Sequence, residues 1–532
     1  MKPILTLILG LISILGFSQT PTISFQKIFG GSSNEFPYDM IQLPNGDLVV
    51  CGSSNSDISG NKTENGFGGK DYWVFQIAPD GTIEWQMTLG GAMDDVPSSI
   101  IQTPDGGFLI NGYSNSPISG NKTSSNYGSW DVWLVKISSV GQLEWQKNYG
   151  GQDTDVGGPM LVLPNSNILI CNSSTSGVSG TKTKPSKGGH DVWVLTVDEL
   201  GNVIREEVYG GSGSEIMNDV QLISANRIVF TGRSDSDISG DKNQNSFGGT
   251  DYWTLITDID GGIHYSSTEG GDYFDGAKSV VSRNNELVLF GRSSSDVSGS
   301  KTVAEYGFGD FWCVGLDSNL NRKWETVLGG SSMECKAGDV AGVYYSAIHQ
   351  YVICGSSLSD VSGNKTMGAF DVGYGDLWMV GLDTFGVKQF EFVAGGDGED
   401  LFGQIIASNN NTLIVVGLTW SGISGNKTEA NYGEGDIWLI ELDFQVSIKV
   451  VVNNTDLKAF PNPTSTVLTF SLPMTVNHSE VSLTDMTGKV VYSKRLERVD
   501  QSQIDVSNMP NGMYVLSVLS KEFQYTRKVV IE

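Results

Sequence analysis

The chain has 532 residues, 67 of them glycine, with 39% apolar and 10% aromatic residues and a formal net charge of −27. Glycine is far above its usual share of roughly 7%, yet the apolar content is enough for a packed core, so these glycines belong to turns of a turn-dense fold. With 60 acids against 33 bases the basic surface that nucleic-acid binding requires is missing, and that class of partner is excluded.

Met1 and Lys2 precede an apolar run from Ile4 to Phe17, followed by Ser18, Gln19, Thr20 and Pro21. This is the order of a secretory leader, with cleavage expected after Ser18. The run is too short to cross a bilayer, and no later run is long enough. An exported chain with a signal peptide over residues 1–18 and no transmembrane segment is expected.

From residue 19 to 443 the chain repeats itself. Asp-x-Trp occurs at Asp71, Asp131, Asp191, Asp251, Asp310, Asp376 and Asp436, with spacings of 60, 60, 60, 59, 66 and 60 residues. Gly-Gly recurs in step from Gly30 to Gly395, and Ser-Gly-x-Lys ends at Lys62, Lys122, Lys182, Lys242, Lys301, Lys365 and Lys427. In the first unit, strands are expected at Tyr38–Leu43, Asp47–Gly52, Asp71–Ile77 and Thr82–Leu89, separated by turn residues and one long polar loop. Four short antiparallel strands per unit of ~60 residues fit one blade of a propeller. The expected fold is all-β: a seven-bladed β-propeller of four-stranded blades. Residues 23–29 match the outermost strand but precede any blade, while the last unit stops after its third strand; strand 23–29 is therefore expected to complete the seventh blade and close the ring.

A residue present in every blade is more readily a building element than a catalyst. The Asp of Asp-x-Trp is expected to accept backbone N–H groups of the preceding turn, and the Trp to fill space between blades. The residue five before Gly-Gly is aromatic in six units (Phe25, Trp85, Trp145, Tyr265, Trp324 and Phe390), Arg205 being the exception. Four residues after the second glycine stands an acid: Glu35, Asp95, Asp155, Glu215, Asp275, Glu334 and Asp400. Such acids either satisfy their own turn or ring one mouth of the channel and attract cations. A calcium loop at Asp235-x-Asp237-x-Ser239-Gly240-Asp241 is weighed against a hydrogen-bonded turn, because Ser246 stands where an EF-hand loop needs its bidentate acid; the turn is preferred.

The loops between blades and the long loops share one face, which is where a ligand is expected. Residues there that break the repeat, Arg233, Arg292, Trp130 and Trp420, are the candidate ligand-face residues. Cys51, Cys171 and Cys354 occupy one repeat position in non-adjacent blades, and with Cys313 and Cys335 are expected as buried free thiols. No Gly-x-Ser-x-Gly elbow, His-Glu-x-x-His or Cys/His cluster is present, so no catalytic residue and no cofactor are assigned.

Residues 444–456 read as a linker, and from Leu457 the character changes. Residues 457–532 hold 8 bases and 7 acids, and alternating segments at Val467–Ser471, Val481–Met486, Lys489–Leu496, Gly512–Val518 and Phe523–Ile531 suggest a small Ig-like β-sandwich. Pro461-Asn462-Pro463, Gly488 before Lys489-Val490-Val491, Asn511-Gly512-Met513-Tyr514 and the closing Lys528-Val529-Val530-Ile531 resemble the type A C-terminal sorting domain of the type IX secretion system of Bacteroidetes. The resemblance implies the type IX machinery as partner, export through the outer membrane to the cell surface or medium, removal of the domain and often anchoring to lipopolysaccharide. The repeats resemble a bacterial seven-bladed propeller family, whose unit Asp131–Asp155 follows; that likeness implies architecture only. The expected function is a non-enzymatic surface recognition or scaffold module for a glycan or protein, with a carbohydrate-active hydrolase or lyase on the long-loop face as the alternative.

Overall fold

A computed structural model describes residues 21–335, 340–444, 457–485, 490–519 and 524–532. The leader expected at 1–18, most of the expected linker and Gly488 lie outside these residues. The chain divides into two units, up to Phe444 and from Gln445 onward.

In the first unit the described residues form seven antiparallel sheets, each four strands wide, the third with its inner strand in two pieces and the seventh with Pro21–Phe29 as its outer strand. In blade 1 the order is Glu35–Gln42, Leu48–Ser54, Asp71–Ile77 and Ile83–Leu89. The inner strands of successive blades pack side by side, and the innermost strand of blade 7, Asp400–Ala407, meets that of blade 1, so the ring is closed. Pro21–Phe29 pairs antiparallel with Asp436–Phe444, from Pro21 opposite Phe444 to Phe29 opposite Ile437. Closure therefore rests on backbone hydrogen bonds between the two ends of the repeat region. Phe444, expected in the linker, is the last residue of that strand.

The core lies between the blades because second and third strands are buried on both faces: every residue of Leu48–Ser54 and of Asp131–Ile137 is buried. Such strands read as continuous apolar runs rather than alternating ones. The seven tryptophans of Asp-x-Trp are all buried to within 1%. All five cysteines are free and buried.

Six inner strands begin at the acid, three residues earlier than expected in blade 1, whereas that of blade 6 begins at Val340 and its acid Glu334 forms an isolated bridge with Ser357. Inner strands carry a bulge between Pro37 and Asp39, repeated at Pro97/Ser99, Met217/Asp219, Ala277/Ser279 and Phe402/Gln404. A bulge re-aims the extra residue, and here Tyr38, Ser98, Asn218, Lys278 and Gly403 all line the central channel. In blade 3 the inner strand is split outright, into Asp155–Val156 and Met160–Val162, by Gly157-Gly158-Pro159.

In the second unit two long strands, Val467–Asp485 and Val490–Asp505, run together and lose register between Ser471 and Val476. The segments expected as separate strands at 467–471 and 481–486 are thus parts of one. Leu468 and Phe470 from its first half share a buried cluster with Val481, Leu483, Leu516 and Val529, as they do when the strand serves both layers of an Ig-like sandwich.

Candidate functional site

The three sequence markers of the repeat meet in space. The Gly-Gly turn entering a blade is held by that blade's long loop: Gly30 N–H donates to Asn61 Oδ1 (2.9 Å), Ser32 N–H to Ser59 Oγ (2.8 Å) and Ser33 N–H to Ser56 Oγ (2.8 Å). Gly60 sits in the left-handed region at φ +58°, and a Cβ there would come within 2.3 Å of the Gly30 carbonyl oxygen, so only glycine fits. The lysine of Ser-Gly-x-Lys turns inward and lies over the Trp of its own blade in five blades, for example Lys182 at 5.2 Å from the Trp193 ring. Asp71 Oδ2 accepts Phe67 N–H at 2.7 Å, the turn-capping role expected of it.

Of the two readings weighed for the acids, the structure supports the turn and not the ring at the channel mouth. Glu35, Asp95, Asp155, Glu215, Asp275, Glu334 and Asp400 are fully buried and do not ring the channel mouth. Six of them cap the Gly-Gly turn, as Gly31 N–H to Glu35 Oε2 (2.8 Å) and Gly91 N–H to Asp95 Oδ2 (2.7 Å) show, while Glu334 accepts the Ser357 hydroxyl at 3.1 Å. The physical reason is the strand's alternation: in those six the acid is the first residue of the inner strand and points back between blades. Each also meets the Asp-x-Trp aspartate of the preceding blade. A Cβ on Gly90 would lie 1.7 Å from Asp71 Oδ1 and 3.0 Å from Asp95 Oδ2, which places two carboxylates on one glycine. Burial raises Asp71, Asp251, Asp376 and Asp436 to about 7, and the neighbouring acid adds to the effect. Burial lowers the facing lysines, Lys122 and Lys242 to about 8.

The loop weighed as a calcium site is also taken up by its turn. Asp235 Oδ1 accepts Ser214 N–H (2.5 Å), Ser239 Oγ accepts Ser212 N–H (2.9 Å) and Asp241 Oδ2 accepts Gly210 N–H (3.0 Å). Among the described residues no three His, Cys, Asp or Glu side chains gather as a metal site would need.

What departs from sevenfold symmetry is the channel. A cavity of about 660 Å³ runs along it, within the size range of ligand sites. Its wall holds the bulged residues, and behind them a belt in which, in the five bulged blades, the next residue ties its inner strand to a neighbouring blade. Asp39 Oδ2 accepts Ile100 N–H (2.9 Å), Asp219 Oδ2 accepts Val280 N–H (2.9 Å), and Gly342 N–H donates to Ser279 Oγ (2.9 Å). Burial raises Asp39 and Asp219 to about 6 against the pull of those N–H donors, and Asp39 adds to the rise at Asp219.

At the long-loop end, the last-but-one residue of the second strand differs around the ring: Ser53, Tyr113, Ser173, Arg233, Arg292, Ser356 and Leu418. Its companions differ too. Lys70 lies 4.4 Å over the Phe36 ring, Tyr113 meets Trp130 edge-on at 5.3 Å, and Ser173 Oγ is 3.0 Å from His190 Nδ1. Tyr113, Ser173 and His190 open onto the cavity. Of the four expected ligand-face residues, Trp130, Arg233 and Arg292 belong to this mouth tier. Trp420 does not join them: its Nε1 donates to Asn34 Oδ1 at 3.2 Å, wedging blade 7 against the entry to blade 1. Sequence reasoning missed Phe274, Tyr113 and His190, whose signal was the same break in the repeat.

In the second unit the motif residues form a joint. Asn462 Nδ2 donates to the Lys528 carbonyl (3.0 Å) and Asn462 Oδ1 accepts Val530 N–H (2.8 Å), while Tyr514 OH donates to the Pro510 carbonyl (2.7 Å). Asn462, set between Pro461 and Pro463, thus clamps the start of the domain to its last strand, and Tyr514 closes the turn through Asn511 and Gly512. Residues 458–532 match the family model described as a secretion system C-terminal sorting domain. The sorting domain directs export by the type IX route to the outer cell surface or extracellular space, and makes the type IX machinery a partner of this chain. No curated protein matches the chain in sequence. Solved structures similar to it include a hydrazine synthase from Kuenenia stuttgartiensis (12% identity, 60% of this chain and 76% of that one, TM-score 0.34). Others are an apocarotenoid oxygenase from Synechocystis (10%, 79% and 97%, TM-score 0.33) and a family 32 glycoside hydrolase from Bifidobacterium adolescentis (10%, 78% and 79%, TM-score 0.29). These are likenesses in β architecture alone. Among the described residues no helix is long and apolar enough to cross a membrane.

Proposed function

We propose that the propeller is a recognition module of a bacterium of the Bacteroidetes, displayed outside the cell by its sorting domain. Its ligand, a glycan or a protein, enters the channel from the long-loop face. The observation that carries this reading is that side chains vary at the mouth tier and the bulges while the blade-to-blade contacts behind them repeat. A scaffold needs the repeated contacts; selective binding needs the varied ones.

Binding without turnover is the reading the channel chemistry supports. Asp39 and Asp219 each accept two backbone N–H groups, which fixes their orientation in the wall, whereas a hydrolase of sugars needs one carboxyl free to give and take a proton. The test is a panel of glycans and surface proteins against the mature chain and a Tyr113→Ala/Trp130→Ala variant. A ligand held by the first and weakened at least about tenfold in the second is expected, in line with the energy carried by buried aromatic anchors. Turnover of any panel member, abolished by a single substitution at Asp39, Asp219 or His190, would replace this reading with an enzymatic one.

A further inference from the structure

We propose that Arg233 and Arg292 form an anion seat at the channel mouth that takes the single carboxylate of an acidic sugar ending a glycan. This rests on the mouth reading above and names the chemistry of its ligand.

The two arginines come from the second strands of neighbouring blades 4 and 5 and converge on one ring. The Arg233 guanidinium lies 5.7 Å from the Phe274 centroid and that of Arg292 6.0 Å from the same centroid. Gly276 makes the convergence possible. A Cβ there would come within 3.0 Å of Phe274 Cζ and 3.7 Å of Arg233 Cδ, so the Arg233 stem and the Phe274 edge both pack over bare backbone. Arg292 lies on Gly309 in the same way, where a Cβ would come within 2.3 Å of its Nε.

Among the described residues neither cation is neutralised: their charged groups face Phe274 and no carboxylate. The Arg292 Nε is buried without a hydrogen-bond acceptor, an expensive omission for a charged donor. Burial alone lowers Arg233 from its ordinary value, with no nearby acid holding it up. Two half-desolvated guanidiniums with unused donors are the geometry that takes a carboxylate by paired, charge-assisted hydrogen bonds.

The surroundings select the rest of the ligand. Phe274 is 37% and Tyr273 66% exposed, offering flat apolar faces to the C–H side of a sugar ring beside the cationic seat. With Lys2 and the net +1 of residues 457–532 set aside, residues 21–456 carry −29. A field of that sign repels a polyanion, whereas one carboxylate delivered to two unpaired arginines is favourable locally. A glycan with one acidic terminal residue satisfies both conditions.

The experiment compares glucuronate-ended disaccharides with their glucose-ended counterparts, which differ by a carboxylate for a hydroxymethyl group, by calorimetry on the mature chain. The acidic member of each pair is expected to bind about tenfold tighter or more, with the preference falling as salt is raised. In R233Q/R292Q the preference disappears while the melting temperature is retained. R233K/R292K keeps part of the preference, because lysine supplies charge without the planar fork; it also serves as the test if the glutamine variant does not fold. Equal affinity within pairs, or a preference that survives in R233Q/R292Q, overturns the anion seat and leaves the mouth reading standing. Binding of both members untouched by Tyr113→Ala/Trp130→Ala overturns the mouth reading itself. No binding of either member in any pair overturns the acidic-sugar proposal.

Discussion

Ser54 and Ser53 are neighbours in the second strand of blade 1, and their positions behave in opposite ways around the ring. Position 54 carries a hydroxyl in every blade (Ser54, Ser114, Ser174, Ser234, Ser293, Ser357 and Thr419), always buried to within 1%. Its oxygen accepts the N–H two residues on and, in blades 1, 4 and 6, donates to the blade's buried acid at 2.8, 2.6 and 3.1 Å. Position 53 is serine, tyrosine, arginine or leucine. One residue of chain separates a site repeated because seven interfaces impose the same demand from a site that varies and, as Tyr113 and Ser173, opens onto the channel. In a repeat protein the function is sought where the repeat fails.

The comparison breaks first, and hardest, at closure. Removing Pro21–Phe29 deprives blade 7 of its outer strand and exposes the edge of Asp436–Phe444. The expected outcome is loss of the single cooperative unfolding transition, or aggregation, read by calorimetry and light scattering. A truncated chain that unfolds cooperatively at the parent temperature would show that the strand is dispensable.

A single substitution sharpens it next. Asp71→Ala removes a fully buried side chain and the acceptor of the Phe67 N–H and should cost roughly 2 kcal/mol, whereas Trp130→Ala at the mouth removes one edge-on contact and should cost about 1 kcal/mol or less. Denaturant unfolding of both variants measures the ratio. Equal losses would mean that the mouth tier is as structural as the turn behind it.

The smallest effect is a pH dependence carried chiefly by the repeated tier, with Asp39 and Asp219 of the channel wall, at about 6, acting in the same sense. Asp71, Asp251, Asp376 and Asp436, at about 7, and Asp131, at about 6, bind protons in the folded state at pH values where the unfolded chain has released them. Their stabilisation is therefore complete below the ordinary carboxylate range and is lost as pH rises through about 6 to 7. Exposed, hydrogen-bonded acids such as Asp198 and Asp317 are lowered by their Asn partners and act in the opposite sense, at the acid end. The melting temperature is expected to peak near about pH 5 and to fall toward pH 8; a flat or rising profile over that interval would mean that the paired carboxylates carry no linked proton.

The ring was legible because three markers recur in register, and because an outer strand stands alone before the first unit with one missing after the last. The turn-capping Asp71 was equally legible, since its donors lie four residues back. The acids were legible in part: their place beside a turn pointed to satisfying it, but only the junction of the inner strand with that turn decided against the channel mouth. The arginines of the seat were visible as breaks in the repeat. Phe274 was not, because only the ring brings the loop before blade 5 against side chains of two second strands.

By itself the sequence determined what is local or periodic. It fixed the length and strand content of the unit, the number of repeats and the exported character of the last 75 or so residues, since turn residues, alternation and ordered motifs act over a few positions. The tertiary structure alone decided which face each repeated acid serves, that bulges turn Tyr38, Asn218 and Lys278 into the channel, and that Arg233 and Arg292 share one ring. Those outcomes depend on contacts between blades some 60 residues apart, and no local pattern along the chain encodes the direction of a side chain across such an interface.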